Sequence, residues 1–193
     1  VYERQMLDLL PLLKEEARLL RQTLPESMEV RLDYISGEYF VLADSTRMQQ
    51  MIVNLVLNAR DAMPDGGVLH LVLGRTVVGP GQRAPAAGMA AGTWVQICVA
   101  DTGAGIRPEY LEHIFEPFFT TKMPGRGTGL GLAQVQGIVA QHEGHIATAS
   151  ELGSGTIFTV YLPPAGTQSW PLPHAAVPAA KAPSGSHRKR RRR

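Results

Sequence analysis

Two amides and a carboxylate stand in line near the first third of the chain. Asn54, Asn58 and Asp61 are spaced by four and three residues, so on a helix they share one narrow strip. Met48, Met51, Ile52, Leu55, Ala59 and Ala62 form an apolar stripe on that helix. Val53, Val56 and Leu57 make most of the remaining surface apolar too. A helix apolar nearly all round is a buried one, and a buried polar strip needs partners. Oxygen donors in line suit a hydrated divalent cation such as magnesium, which prefers oxygen ligands and keeps several waters. A helix-packing network, with the asparagines bonded to neighbouring backbone, would use the same residues.

Two glycine segments add a different chemistry. Asp101-Thr102-Gly103-Ala104-Gly105-Ile106 follows an apolar strand directly. Glycines two apart let backbone pass close to a planar ligand, and a carboxylate at a strand end can accept from an exocyclic amine such as adenine's. A plain strand-end turn is the alternative. Gly125-Arg126-Gly127-Thr128-Gly129-Leu130-Gly131-Leu132 opens a helix, with Gly129 and Gly131 expected inside it. Free N–H groups and the helix dipole there make an anion site, and phosphate is the natural ligand. No Gly-Lys-Ser/Thr follows, so the segment is not a Walker loop. A flexible hinge would need the same glycines. Between the two lies Glu112-His113-Ile114-Phe115-Glu116-Pro117-Phe118-Phe119-Thr120-Thr121-Lys122. Its three phenylalanines would anchor either a loop that swings over a ligand or an ordinary aromatic minicore. Gly153-Ser154-Gly155-Thr156 marks a last hairpin, where Thr156 starts a strand and could reach a base through a water.

The elements that must position these residues are legible in outline. Apolar spacing predicts a helix over 1–23, kinked or divided at Pro11. Strands are expected at 28–34 and 39–43, joined at Ser36-Gly37, and then the helix capped by Asp44-Ser45 and running to about Met63. Strands at 68–78 and 93–100 flank a Gly/Pro/Ala loop. A short helix at 108–114, a longer one from Gly129 to His142, and a hairpin of 144–150 with 155–162 complete the order. Few helices and local strand pairing argue for a two-layer α/β sandwich: one mixed sheet with helices on one face. Residues 1–24 read as a lead-in helix from a missing upstream region, 25–163 as the domain, and 164–193 as a disordered Pro/Ala-rich tail with a basic end.

Composition sets limits. Of 193 residues, 44% are hydrophobic, a globular value, and no run of about 18 apolar residues suggests a membrane span. The chain starts at Val1 without a leader pattern, which reads as a fragment. The formal charge of +2 is carried by the closing HRKRRRR; without its six basic residues, 13 basic stand against 17 acidic. That leaves no basic surface for nucleic acid on the body, and no membrane contact is expected. The single cysteine, Cys98, sits in an apolar run and fits a reducing, cytoplasmic setting.

Together, NLVLNARDAM, DTGAGI, EHIFEPFFTTK, GRGTGLGLA and GSGTIFTVYLP occur in that order at ordinary spacings. They resemble the asparagine, glycine and phenylalanine boxes of the sensor histidine kinase catalytic domain. That domain is a GHKL ATPase with the Bergerat sandwich fold. FEPFFTTK and NARDAM look most like the nitrogen-regulation and hybrid-kinase branch. The resemblance implies ATP and Mg²⁺ as cofactors, with Asn58 as metal ligand and catalytic residue and Asn54 supporting the phosphates. It implies Asp101 on the adenine amine, with Gly103, Gly105 and Ile106 beside the nucleotide and Thr156 completing the adenine side. Gly127, Thr128, Gly129, Leu130 and Gly131 would cradle the phosphates, and residues 112–128 would form a lid. Many relatives carry a lysine three residues after the metal-binding asparagine, where this chain has Asp61. The phosphate cation must then be Lys122, Arg126 or Arg60, with Lys122 favoured. The implied partners are a histidine-bearing dimerisation domain and a response-regulator receiver domain. No histidine here sits on a suitable acceptor helix, so the chain is expected to bind ATP without phosphorylating itself. An ATP-hydrolysing relative, or a nucleotide sensor without transfer, is the alternative.

Overall fold

The computed structural model describes residues 4–122 and 127–166. Arg126 and the tail from 167 onward lie outside the described residues. The chain opens with a strand, β1 (Gln5–Asp8), and helix α1 (Leu9–Thr23) begins only after it. The sequence pattern suggested helix throughout. Asp8 stops it: its backbone is extended, and its carboxylate accepts the Leu10 N–H at 3.1 Å as an N-cap. Pro11 therefore falls in the first turn, where a missing N–H costs nothing, and it does not divide the helix. Leu9, Leu13, Ala17 and Leu20 carry α1 into the common core.

Strand β2 (Met28–Tyr34) and strand β3 (Phe40–Ala43) do not pair with each other. β3 pairs antiparallel with β1, setting Met6 opposite Leu42, and Ala165 N–H donates to the Phe40 carbonyl at 2.7 Å on its other side. β2 instead runs parallel to β4 (Gly67–Val78), across the intervening helix α2 (Ser45–Ala62). The remaining strands are β5 (Gly92–Asp101), β6 (His145–Glu151) and β7 (Gly155–Leu162), and the sheet order is β2-β4-β5-β7-β6. One parallel pair among antiparallel neighbours makes the sheet mixed, as the element order implied. Pro108–Tyr110 forms a single 3-10 turn in place of the helix expected there. Helix α3 spans Gly131–Gln141, two residues shorter at its start than the sequence suggested. Gly129 stands outside it with φ +66°, a left-handed conformation no helix accommodates.

Strand register sets which residues meet the helices. Leu71, Val99 and Phe158 lie side by side across β4, β5 and β7, and all are buried beneath α2 and α3. Two residues further along, the next row on the same face is Leu69, Asp101, Thr156 and Ser150. The core thus ends in a polar row at one end of the sheet. On the opposite face Val78, Trp94 and Tyr161 pack against Ala86 and Met89 of the unpatterned 79–91 loop.

Candidate nucleotide site

A hollow of about 670 Å³ lies between α2, the sheet end and the segment before α3. It gathers residues from every singled-out motif: Asn54 and Asn58, Asp101, Gly105 and Ile106, Lys122, Gly127, Thr128, Gly129, Gly131 and Thr156. Gly103 and Leu130 do not line it. Asp61, Arg60, Leu57, Tyr110, Phe119 and Phe158 also line the hollow.

On α2, Met48, Met51, Ile52, Leu55, Val56 and Ala59 are buried, but Val53 and Leu57 are about 40% exposed. The helix buries one face only, and its polar strip borders the hollow. Asn54 Nδ2 donates to Gln134 Oε1 of α3 at 3.1 Å. Asn58 Nδ2 is buried and has no hydrogen-bond partner among the described residues. An unsatisfied buried amide N–H costs on the order of 1–3 kcal/mol, and no helix-packing bond among the described residues offsets it.

Asp101 is 8% exposed at the end of β5. Its Oδ1 accepts the backbone N–H of Gly103 at 2.9 Å and of Thr156 at 3.3 Å, and Oδ2 has no protein partner among the described residues. Burial pushes its carboxyl up from the usual range, and the two N–H donors only partly offset this. The glycines after it are held tightly against protein. A Cβ at Gly103 would meet the Ala62 carbonyl oxygen at 2.6 Å, and one at Gly105, with φ +70°, would meet the Glu151 carbonyl oxygen at 2.2 Å. Their smallness wedges the loop between the end of α2 and the β6–β7 turn, which fixes the hollow's floor.

The segment bordering the hollow is held by its phenylalanines unequally. The Phe115 ring meets Phe158 edge to face at 6.4 Å, and Phe119 meets Tyr110 at 5.8 Å. Phe118 is 74% exposed and takes φ +70°, rare for a bulky residue. Its N–H donates to the Gly129 carbonyl at 2.9 Å, and a Cβ at Gly129 would fall 2.3 Å from the Phe118 carbonyl carbon. Only glycine allows this crossing. Just beyond it α3 begins without a side-chain cap or an acidic first turn, and Gly131 and Leu132 of its first turn line the hollow.

Lys122 Nζ pairs with Asp61 Oδ2 at 2.5 Å, and Arg60 donates to Asp61 Oδ1 at 2.8 Å. Burial opposes ionisation of Asp61, but hydrogen bonds from Lys122 and Arg60 outweigh it and hold the carboxyl below its usual range. Two of the three cations considered for phosphate thus converge on the carboxylate that replaces the expected lysine.

The sequence profile of the histidine kinase-, DNA gyrase B- and HSP90-like ATPases matches residues 43–166. The chain belongs to this ATPase family. Among its relatives, the sensor kinase CckA of Brucella abortus is 40% identical over 159 residues, covering 82% of this chain and 17% of the relative. The sensor histidine kinase ZraS of Escherichia coli is 37% identical over 161 residues, covering 82% of this chain and 31% of the relative. The chain thus spans less than a third of either relative's length. The catalytic domain of histidine kinase ThkA superposes with a TM-score of 0.66 at 28% identity, covering 83% of this chain and 95% of that one. Full-length ShkA in complex with AMPPNP gives 0.66 at 29% identity, covering 84% of this chain and 31% of that one. The mixed five-stranded sheet is the fold of these kinase ATPase domains, and ATP binding is the property this family's domain carries.

Three of the histidines among the described residues have side-chain or backbone partners. His142 is buried at the corner of α3 and β6, donating from Nδ1 to the Ile138 carbonyl at 2.7 Å while Nε2 accepts the Asp44 N–H at 3.2 Å. His70 pairs with Asp33 and His113 with Glu116. Sequence reading missed Ser150, which lies opposite Thr156 in the last hairpin and bonds to it at 3.0 Å. Counting back from the Gly153 turn would have placed it there.

Proposed function

We propose that this chain is the ATP-binding, phosphoryl-donating domain of a sensor histidine kinase, acting on a histidine of a separate dimerisation domain. One observation carries the reading: a single hollow brings together the Asn58 amide, the buried Asp101 carboxylate and the uncapped N-terminus of α3. These three match the parts of a magnesium-bound adenine triphosphate in order. Asp101 Oδ2 accepts from the adenine amine, with Ile106 and Thr156 flanking the base. The segment from Gly127 to Gly131 that leads into α3, together with Lys122, holds the phosphates. Arg126, which falls outside the described residues, is a further candidate for that charge.

Asn58 fits a divalent cation because its amide is buried without a partner and can turn its oxygen to the hollow. Asp61, one turn on, lines the same hollow, but its carboxylate is already taken by Lys122 and Arg60. Bound there, Mg²⁺ would neutralise charge building on the β- and γ-phosphate oxygens. The protein's own part is positioning and electrostatic. An incoming imidazole nitrogen attacks the γ-phosphorus, the bond to the β–γ bridging oxygen breaks, and ADP leaves. The phosphohistidine would then supply a response-regulator receiver domain, in the cytoplasm.

The test supplies the missing acceptor. The chain is mixed with a histidine-bearing dimerisation domain from a relative and with γ-labelled ATP. Label on histidine, stable to base and lost in acid, is the expected result. Release of inorganic phosphate alone would make the chain an ATPase, and binding without turnover would make it a nucleotide sensor.

A further inference from the structure

Ser150 stands one strand behind the hollow and does not line it, yet its hydroxyl makes three contacts that fix the chemistry of a residue that does. Ser150 Oγ lies 2.8 Å from the Ile106 N–H, 3.0 Å from the Gly155 carbonyl oxygen and 3.0 Å from Thr156 Oγ1. A serine hydroxyl has one proton to give and two lone pairs to receive. The Ile106 N–H can only donate and the Gly155 carbonyl can only accept. One assignment keeps all three bonds: Ser150 donates to Gly155 and accepts from both Ile106 and Thr156. The Thr156 proton is thereby committed to Ser150. What Thr156 turns to the hollow is lone pairs.

Asp101 Oδ2 is the neighbouring group on the same row, and it too is an acceptor. Two acceptors side by side favour a ligand edge that donates and repel one that carries a carbonyl, since a buried acceptor facing another acceptor leaves both unsatisfied. Resting on the nucleotide reading above, we infer that Ser150 is a positioning residue for base selection: it polarises Thr156 so that the site takes a 6-amino purine and refuses a 6-oxo purine. The same bond from Ile106 ties the loop after Asp101 to the final hairpin, so one hydroxyl sets both the wall and its polarity.

The test compares magnesium-ATP with magnesium-inosine triphosphate, which differ at C6, an amine against a carbonyl, and at N1, an acceptor against an N–H, by calorimetric titration of the full chain. In Ser150→Ala the Thr156 hydroxyl is free to rotate and donate to a carbonyl. The ratio of ATP to inosine triphosphate affinity should shrink about tenfold, the worth of one neutral hydrogen bond gained or lost. Ser150→Thr retains the hydroxyl and should keep the wild-type ratio. Should Ser150→Ala fail to fold, Ser150→Cys replaces it, since a thiol is a poor acceptor of the Thr156 proton, and the ratio should again shrink. Equal loss of affinity for both triphosphates, with the ratio unmoved, would make Ser150 a merely structural residue and overturn the inference. A wild-type chain that bound neither triphosphate would overturn the nucleotide reading itself, and this inference with it.

Discussion

Asp61 is the sharpest point at which this chain can be pushed. Its carboxylate holds Lys122 at 2.5 Å with both side chains about one-third exposed, and Arg60 braces its other oxygen at 2.8 Å. For Lys122 to serve a triphosphate it must leave Asp61. Exposed ion pairs are worth roughly 0.2–1 kcal/mol, and removing one partner of a fully buried pair costs ~3–5. With one-third exposure, and with Arg60 remaining on Asp61 after Lys122 departs, the upper end of the exposed range applies, about 1 kcal/mol. Repulsion between the carboxylate and nearby phosphate oxygens adds ~1 kcal/mol in high dielectric. Asp61→Asn keeps the shape and removes both costs, so magnesium-ATP affinity should rise about five- to thirtyfold by calorimetry, more at low salt than at high. A double-mutant cycle sharpens the assignment. Lys122→Ala should weaken binding, and Asp61→Asn should help far less in that background. If Asp61→Asn instead weakened binding, the carboxylate would be helping to hold the cation, and the competition argued here would be refuted. Fully additive effects would show that Lys122 never leaves Asp61 for the phosphates.

Asn58→Ala should cut magnesium-dependent ATP affinity by ~100-fold, the worth of one strong polar contact to a charged ligand, with circular dichroism unchanged; surviving affinity would remove Asn58 from the metal. Asp101→Ala should erase most of the preference for ATP over GTP, on the order of tenfold or more, and an intact preference in competition binding would free Asp101 of the base. Glu16 is buried at 6% exposure between α1 and α2, where burial pushes its carboxyl up, a hydrogen bond to Gln49 partly offsets this, and Glu15 adds to the rise. A carboxyl raised in the folded state contributes stability below its unfolded pKa that is lost as pH rises through the folded one. Glu16→Gln should therefore lift the melting temperature at pH 7 by a few degrees and flatten its fall between acid and neutral pH. A melting curve that keeps the wild-type pH dependence would count against it.

Most strand positions were legible because apolar alternation along a half-buried strand is strict. Leu69, Leu71 and Leu73 alternate in β4 as do Val95, Ile97 and Val99 in β5. The partners of those strands were not. Nothing in 28–43 says that β2 crosses α2 to run parallel with β4 while β3 turns back to β1, because pairing is a long-range choice that local composition does not encode. The first helix was read too long because Gln5–Asp8 has helical spacing, and one carboxylate, Asp8, overrode it. Most residues singled out by type line one hollow, and three of their glycines have a packing reason that the motifs did not suggest. Gly103, Gly105 and Gly129 are small on account of Ala62, Glu151 and Phe118.

That shift in the glycines' role changes where the precision of the site originates. The core rows of the sheet run on, without a break, into Asp101, Thr156 and Ser150, so the wall proposed to face the base inherits the rigidity of Leu71, Val99 and Phe158 beside it. Glycine contacts to backbone lock the loop after Asp101 onto that wall. The side proposed to face the phosphates is built otherwise, from a helix end without a side-chain cap, an exposed Phe118 in a strained conformation and a lysine already paired elsewhere. Rigid groups discriminate best, since they cannot relax toward a wrong ligand, whereas groups that must exchange partners respond best to charge. On the proposed nucleotide reading the division follows: base identity would be decided at the sheet, and the response to the triphosphate at Asp61, Lys122 and the start of α3.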